Sequence, residues 1–317
     1  MDVACHTSNT AGVADCVHGF WRAGSERTGI GTPEWRPVRI GNDARSQVQL
    51  DVYGVVIEAA AQIASHRRSF DRATQGVLID IGKYVLSHWQ EPDQGIWEAR
   101  SGREHHTHSR LLCWTALDRL YKLANQGLLG NCSFGDQFGE MRHTIQSEIR
   151  HRAWNERLRS YASVLGGSDL DASLLLLAWY GFEEADSARM RFTYDAITRE
   201  LRAGADLLHR YRTDPPEGAF GICSFWEAEY LALGGGSLEQ AQSAFERLLR
   251  YSNDLGLYSE EIDPSTGDAL GNFPQAFTHV GLINAALSIL ERQTGTGRFA
   301  ISCDGTSTET KLSHRNA

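Results

Sequence analysis

Three stretches of this chain, LLCWTALDRLYKLA, LDASLLLLAWYGF and FGICSFWEAEYLAL, are apolar nearly all the way round a helical period. A helix of that kind persists in water only when neighbours cover it on several sides. Between them lie segments with a single apolar stripe. In 134–152 Phe134, Phe138, Met141, Ile145 and Ile149 step by four, three, four and four, while Arg142, Glu148 and Arg150 lie off the stripe. The same one-sided habit runs through Val77, Leu78, Ile81 and Val85, through Met190, Ile197 and Leu201, and through Leu238, Ala241, Phe245 and Leu248. Nine helices are expected, near 47–65, 71–90, 106–125, 134–152, 170–182, 187–203, 219–233, 237–252 and 275–292, and strand-like alternation is absent over any useful length. Interior and exterior helices take turns along the chain. That is the pattern of an all-α ring of helical hairpins with an inner and an outer layer.

The connections alternate as well. Exterior-to-interior links (91–105, 153–169, 204–218 and 253–274) are long, whereas interior-to-exterior links such as EEAD and GGG are of ordinary length. Ser237 with Gln240 spells a capping box, and Ser168 with Asp171 is expected to open the fifth helix. In an antiparallel ring all the long loops emerge on one rim, which makes that rim the expected site. Interior helices also aim their N-termini there, where free N–H groups and the helix dipole favour carboxylates and hydroxyl oxygens.

The first rim loop, EPDQGIWEAR, carries Asp93, Trp97, Glu98 and Arg100; the second carries Trp154, Asn155 and Glu156; the third carries RYRTD, from Arg210 to Asp214; the fourth carries Glu260, Glu261 and Asp263. Carboxylates, indoles and guanidiniums without lysine clusters suit a polyol, because aromatic faces stack on C–H surfaces while arginine and carboxylate groups bind hydroxyls. Glycoside hydrolysis needs one protonated carboxyl and one carboxylate, here from different loops. Glu98, flanked by Ile96 and Trp97, has the apolar cover that suits the proton donor, and Glu260 lies in a loop richer in polar and acidic groups. A lone loop glutamate is more often a solvated acid; the neighbouring indole and the long rim loop weigh the other way. Arg210 has a plain alternative as a helix C-terminal cap. His105, His106 and His108 read as surface histidines at a helix start, and Trp114, Trp179 and Trp226 as core.

Five blocks in order, GIWEAR, HTHSRLLCWTALDRL, WNERLRSYASVLGGSDLDASLLLL, RYRTD with EGAFGICSFW, and SEEIDPSTGDALGNFPQAFTHVGLI, resemble glycoside hydrolase family 15, the glucoamylase, glucodextranase and bacterial trehalase group. The resemblance implies an (α/α)6 barrel and inverting hydrolysis of α-glucosides by single displacement, without a cofactor or metal. It places the general acid on Glu98, the general base on Glu260, and glucose-hydroxyl binding on Arg210; the rim loops add Trp97, Arg100, Trp154 and Glu261 as further candidates for binding the sugar. Inversion puts the two carboxyls about 6.5 to 9.5 Å apart, with room for a water. A family barrel has twelve helices against nine here, so the first three are missing, and no W-x-R-D motif occurs before residue 47. Residues 36–293 are then an incomplete (α/α)6 domain, 1–35 an unplaced segment, and 294–317 a disordered tail. An incomplete ring should expose apolar flanks on its first and last interior helices, open to self-association or to a chain that supplies the missing helices.

A net charge of -9 argues against a nucleic-acid surface, and no apolar run of eighteen residues or basic leader directs the chain to a membrane. A cytoplasmic protein acting on a small α-glucoside is expected. Its six cysteines lack close paired spacing and read as reduced thiols. Two alternatives stand beside the hydrolase: a truncated, non-catalytic remnant or subunit, and another α/α-barrel enzyme, such as a lyase or epimerase, that relies on Tyr or His.

Overall fold

The computed structural model describes residues 25–26, 39–40, 47–64, 69–99 and 101–295. Within these, nine helical elements follow one another: α1 Asp51–Ala64, α2 Arg72–His88, α3 Thr107–Asn125, α4 Gly135–Glu148, α5 from Ala172–Leu175 as a 3-10 turn into Leu176–Trp179, α6 Ala188–Leu201, α7 Gly221–Tyr230, α8 Leu238–Leu249 and α9 Ala276–Thr294. Each falls within a residue or a few of its expected segment. Strands are two residues long. They pair as β1 (Ser25–Glu26) with β2 (Arg39–Ile40), β3 (Trp154–Asn155) with β4 (Ser160–Tyr161), β5 (Arg202–Ala203) with β6 (Leu207–Leu208), and β7 (Ala219–Phe220) with β8 (Glu261–Ile262) and β9 (Ala269–Leu270), all antiparallel. None of the described helices is long and apolar enough to cross a membrane.

The odd-numbered helices form the inner layer. Helix α1 packs on α3, α3 on α5, α5 on α7 and α7 on α9, while α2, α4, α6 and α8 lie outside them. Burial follows the layers: every residue of α7 is buried, whereas α6 buries only Met190, Thr193, Ala196, Ile197 and Leu201. This is the (α/α)6 plan with five inner helices among the described residues. The inner helices approach closely. At Gly54 a Cβ would be driven into the carbonyl oxygen and side chain of Leu112 on α3, so the α1–α3 contact depends on the missing side chain.

Among the described residues the row runs from α1 to α9, and the outer flanks of these two helices carry exposed apolar side chains. Val55, Val56 and Ile63 of α1 and Phe277, Val280, Ile283, Leu287 and Leu290 of α9 are all 42 to 55% exposed. These are the apolar flanks expected of an incomplete ring. Between the two helices, towards their C-terminal ends, lies a cavity of about 380 Å³ with Glu58, Arg119, Trp179, Glu229, Ser288 and Glu291 on its walls.

Two local expectations change. The capping box of Ser237 and Gln240 opens α8, but α5 is capped by Asp171 alone, whose side chain accepts from the Ser173 N–H; Ser168 lies in the preceding loop. His108 is not a surface residue: it is buried, with Nδ1 3.5 Å from the Asp51 carboxylate at the start of α1. Cys113, Cys132 and Cys223 are free thiols; the other three cysteines, and the unplaced start and tail apart from Ser25, Glu26, Thr294 and Gly295, lie outside the described residues.

Replacing Gly54 by Ala should lower stability by about 2 kcal/mol through overpacking against Leu112. Urea denaturation followed by circular dichroism checks this, and an unchanged midpoint would remove the close-approach explanation.

Candidate active site

The first rim loop is stitched to the entry of α1. Asp93 and Glu104 exchange both backbone hydrogen bonds, the Leu50 N–H donates to Asp93 Oδ2 at 2.9 Å, and the Val48 N–H donates to Gln94 Oε1 at 2.7 Å. At the tip the chain turns through Gly95 (φ 66°) and Glu98 (φ 53°). A left-handed conformation at a residue with a side chain is strained, and it persists only where the surroundings fix it. Here Glu98 N–H donates to the Gly95 carbonyl at 3.2 Å, Ala99 N–H to the Gln94 carbonyl at 3.0 Å, and Gln47 Nε2 to the Glu98 carbonyl at 3.2 Å. The Trp97 indole N–H donates to Asp171 Oδ2 at 2.7 Å, and its ring lies against Phe220 (5.4 Å between centroids) and Trp226 (6.0 Å).

The third and fourth rim loops meet at Arg210. Its guanidinium makes a two-pronged ion pair with Glu217 at 2.6 and 2.8 Å and lies 4.4 Å from the Phe220 ring, 4.8 Å from Tyr211 and 5.6 Å from Trp97. It is therefore a rim cation in an aromatic bed and does not cap a helix. Glu261 on β8 pairs with Phe220 and Leu270 across the three-stranded sheet, and its carboxylate tucks under Gly218, where a Cβ would come within 2.6 Å of Oε2. The group is 8% exposed, and Oε2 is buried without a hydrogen-bond partner. Burial first, then the like charges of Glu217 and Glu260, push Glu261 up to about 7, against the opposing pull of Arg210. Its neighbour Glu260 points to the other face of the strand, where Oε2 accepts from the Asn272 N–H at 3.0 Å and from Asn272 Nδ2 at 2.8 Å. The Glu260 carbonyl accepts the first N–H of α7, from Gly221 at 3.0 Å.

Beside this cluster a cavity of about 460 Å³ opens between the first three rim loops, with Trp97, His106, His108, Asp171, Tyr211 and Arg212 among its walls. Three rim loops thus bring Trp97, Arg210 and Glu261 into one neighbourhood. Trp154 instead packs on Tyr161 at 5.4 Å, with Arg189 of α6 4.8 Å above its ring. Arg100 lies outside the described residues. Two residues at the cluster carried no mark in the sequence as site members. Glu217 sits in a loop of small and polar residues, and Asp171 read only as a helix opener; spacing along the chain does not bring either to Arg210 or Trp97.

The family described as glycosyl hydrolases family 15 matches residues 23–235 and 236–287. The chain belongs to this family. Among its relatives, the trehalase of Mycolicibacterium smegmatis is 40% identical over 265 residues, 81% of this chain and 39% of that protein, and the trehalase of Thermoplasma volcanium is 34% identical over 260 residues, 81% and 41% of the two chains. The chain therefore spans about two fifths of the length of the curated relatives it matches. Solved structures agree on the fold: a glycosidase in complex with glucose superposes with a TM-score of 0.67 at 17% identity, covering 87% of this chain and 76% of that one, and a bacterial glucoamylase complexed with acarbose gives 0.66 at 14%, covering 78% and 41%. In this family-15 chain, then, the barrel fold and the acidic, aromatic rim come together.

Glu261 also generates a stability prediction. Its folded-state pKa lies above the ordinary 4.5, so the folded protein holds a proton that the unfolded chain releases, and stability falls as pH rises from about 4.5 to 7. Glu261→Gln should remove that penalty, raising stability at pH 8 by up to about 3 kcal/mol and changing little near pH 4.5. Chemical denaturation of both proteins at the two pH values measures it; a gain equal at both would mean that packing, not charge, is responsible.

Proposed function

We propose that this chain is the carboxyl-bearing portion of an inverting α-glucosidase that acts on trehalose or a related small α-glucoside in the cytoplasm. Glu98 is the general acid, protonating the glycosidic oxygen as it leaves. Glu260 is the general base, taking a proton from the water that attacks the anomeric carbon on the opposite face. Arg210 and Glu261 bind glucose hydroxyls, Trp97 stacks on the sugar, and Arg100 and Trp154 complete the binding set.

The observation that carries this reading is the convergence of Trp97, Arg210 and Glu261 from three separate rim loops, in a family-15 chain whose Glu98 is held in a left-handed turn directly after Trp97. An aromatic face, a cation and a carboxyl within one neighbourhood match the demands of a polyol. Strain at a single acidic residue is itself a mark of function. Because Glu260, just before β8, bonds Asn272 while Glu261 on β8 is the one facing Arg210, the two glutamates are also separable by experiment.

A second reading is favoured by the open edges of α1 and α9. Eight large apolar side chains, half exposed on two inner helices, form a surface of the kind that pairs. On that reading the chain works as a subunit, either self-associating or joined to a polypeptide that supplies further inner helices.

Purified chain incubated with trehalose, maltose and isomaltose should release glucose; before mutarotation proton NMR should show the attacked unit as the β-anomer, so that trehalose gives one β- and one α-glucose. Glu98→Gln and Glu260→Gln should each lower the rate by about 10² to 10⁴-fold, whereas Glu261→Gln should act mainly on KM. Glucose from none of the three substrates would set aside catalysis by this chain alone and favour the subunit reading; full activity of Glu260→Gln with loss in Glu261→Gln would move the base to Glu261.

A further inference from the structure

Asp171 is the point at which three rim loops are tied together. Its Oδ1 accepts the Ser173 N–H at 2.7 Å and caps α5, while Oδ2 accepts the Trp97 indole N–H at 2.7 Å, from 74 residues away. Its backbone bridges to Tyr211, and the next N–H, from Ala172, donates to the Arg210 carbonyl at 2.8 Å. The first loop is thus held by the side chain of Asp171 and the third by its main chain. Asp171 is 8% exposed, a depth at which a carboxyl is tolerated only with its lone pairs engaged.

What the indole bond does follows from chain geometry. Trp97 is held on its N–H edge by Asp171, and Phe220, Trp226 and Arg210 lie around its ring. The next residue is Glu98, at φ 53°. A peptide plane joins the two, so a fixed indole removes most of the rotational freedom by which the Glu98 turn could relax to an unstrained conformation. The backbone bonds inside the turn, from Glu98 to Gly95 and from Ala99 to Gln94, close it but do not anchor it to the barrel. Besides the stitches to residues 47–50, the Trp97 indole ties this loop to the mouth of α5 on the inner ring.

We propose that Asp171 is a positioning residue: by holding the Trp97 indole from the N-terminus of α5, its carboxylate sets the strained turn that aims Glu98 at the substrate. The role in catalysis rests on the hydrolase reading above; the positioning itself does not. Charge matters as well as reach, since a carboxylate accepts from an indole N–H more strongly than an amide oxygen does. Burial holds the Asp171 carboxyl above the usual aspartate value, and the donors from Ser173 and Trp97, with the His108 charge, offset only part of that rise.

The test uses two variants that cut the same bond from opposite ends. Asp171→Ser keeps a good N-cap for α5 but is too short to reach the indole; Trp97→Phe keeps an aromatic ring but has no N–H. In the full chain, each should lower kcat about tenfold with KM changed less than about threefold, and the double variant should be no worse than the poorer single one, because both remove one interaction. Asp171→Asn, which keeps an acceptor, should recover part of the loss. Independently of turnover, the Glu98 amide resonance in a transverse-relaxation-optimised NMR spectrum should shift in both variants while far-UV circular dichroism stays unchanged. If no variant or parent releases glucose, the hydrolase reading fails and the resonance alone decides. A Glu98 amide that stays in place in Trp97→Phe, or kinetic losses that multiply in the double variant, overturns the positioning role; should Asp171→Ser fail to fold, Trp97→Phe carries the same readings.

Discussion

A helix that is apolar on every side has to be surrounded, and in this chain that requirement falls on alternate helices. Burying α3, α5 and α7 calls for neighbours on both flanks and a cover outside, which a row of inner helices backed by one-sided outer helices supplies. Once inner and outer helices alternate along one chain, the inner ones must all run the same way. Their N-termini then share one rim, and the long loops gather there. Those buried N-termini present N–H groups with no helical partner, and the rim answers with acceptors: Asp171 takes the Ser173 N–H, Asp93 the Leu50 N–H before α1, and the Glu260 carbonyl the Gly221 N–H. The acids that populate the rim therefore begin as a consequence of helix architecture, and the proposed chemistry draws on a subset of them.

The electrostatics of that subset are set by an imbalance. Arg210 is held by Glu217 in a two-pronged pair, yet it also faces Glu261. One guanidinium cannot neutralise two carboxylates at short range. Glu217, with the direct hydrogen bonds, keeps the cation, and Glu261, buried under Gly218 without a partner for Oε2, is left to respond by holding its proton up to about pH 7. The arrangement leaves a carboxyl that can both donate and accept near neutrality, next to a cation and an aromatic wall.

The same packing rule explains the open edge. Each inner helix is apolar on two flanks because each is meant to have two inner neighbours, but α1 and α9 have one each among the described residues. Val55, Val56 and Ile63 on α1 and the stripe from Phe277 to Leu290 on α9 are the exposed apolar side chains of these two end helices. The relatives are more than twice as long as the matched region.

Which helices are inner, where each begins and ends, and that all the long loops share a rim were legible in the sequence. Hydrophobic period and loop length are local quantities, and helices packed by side-chain pattern obey them. The Trp97–Glu98 pair was legible for the same reason, as an indole and an acid in one short loop. What the sequence did not contain was distance between loops. It gave no sign that Asp171 would reach across 74 residues to the Trp97 indole, that Glu217 would claim Arg210, or that of two adjacent glutamates Glu261 would turn inward and Glu260 outward to Asn272. Each of these is decided by how the inner helices pack and which strand face meets the core, and His108, read as a surface residue, became a buried one because α1 brings Asp51 over it. Local pattern settles what a segment is, whereas charge pairing depends on separations of a few ångströms that exist only after the ring has formed.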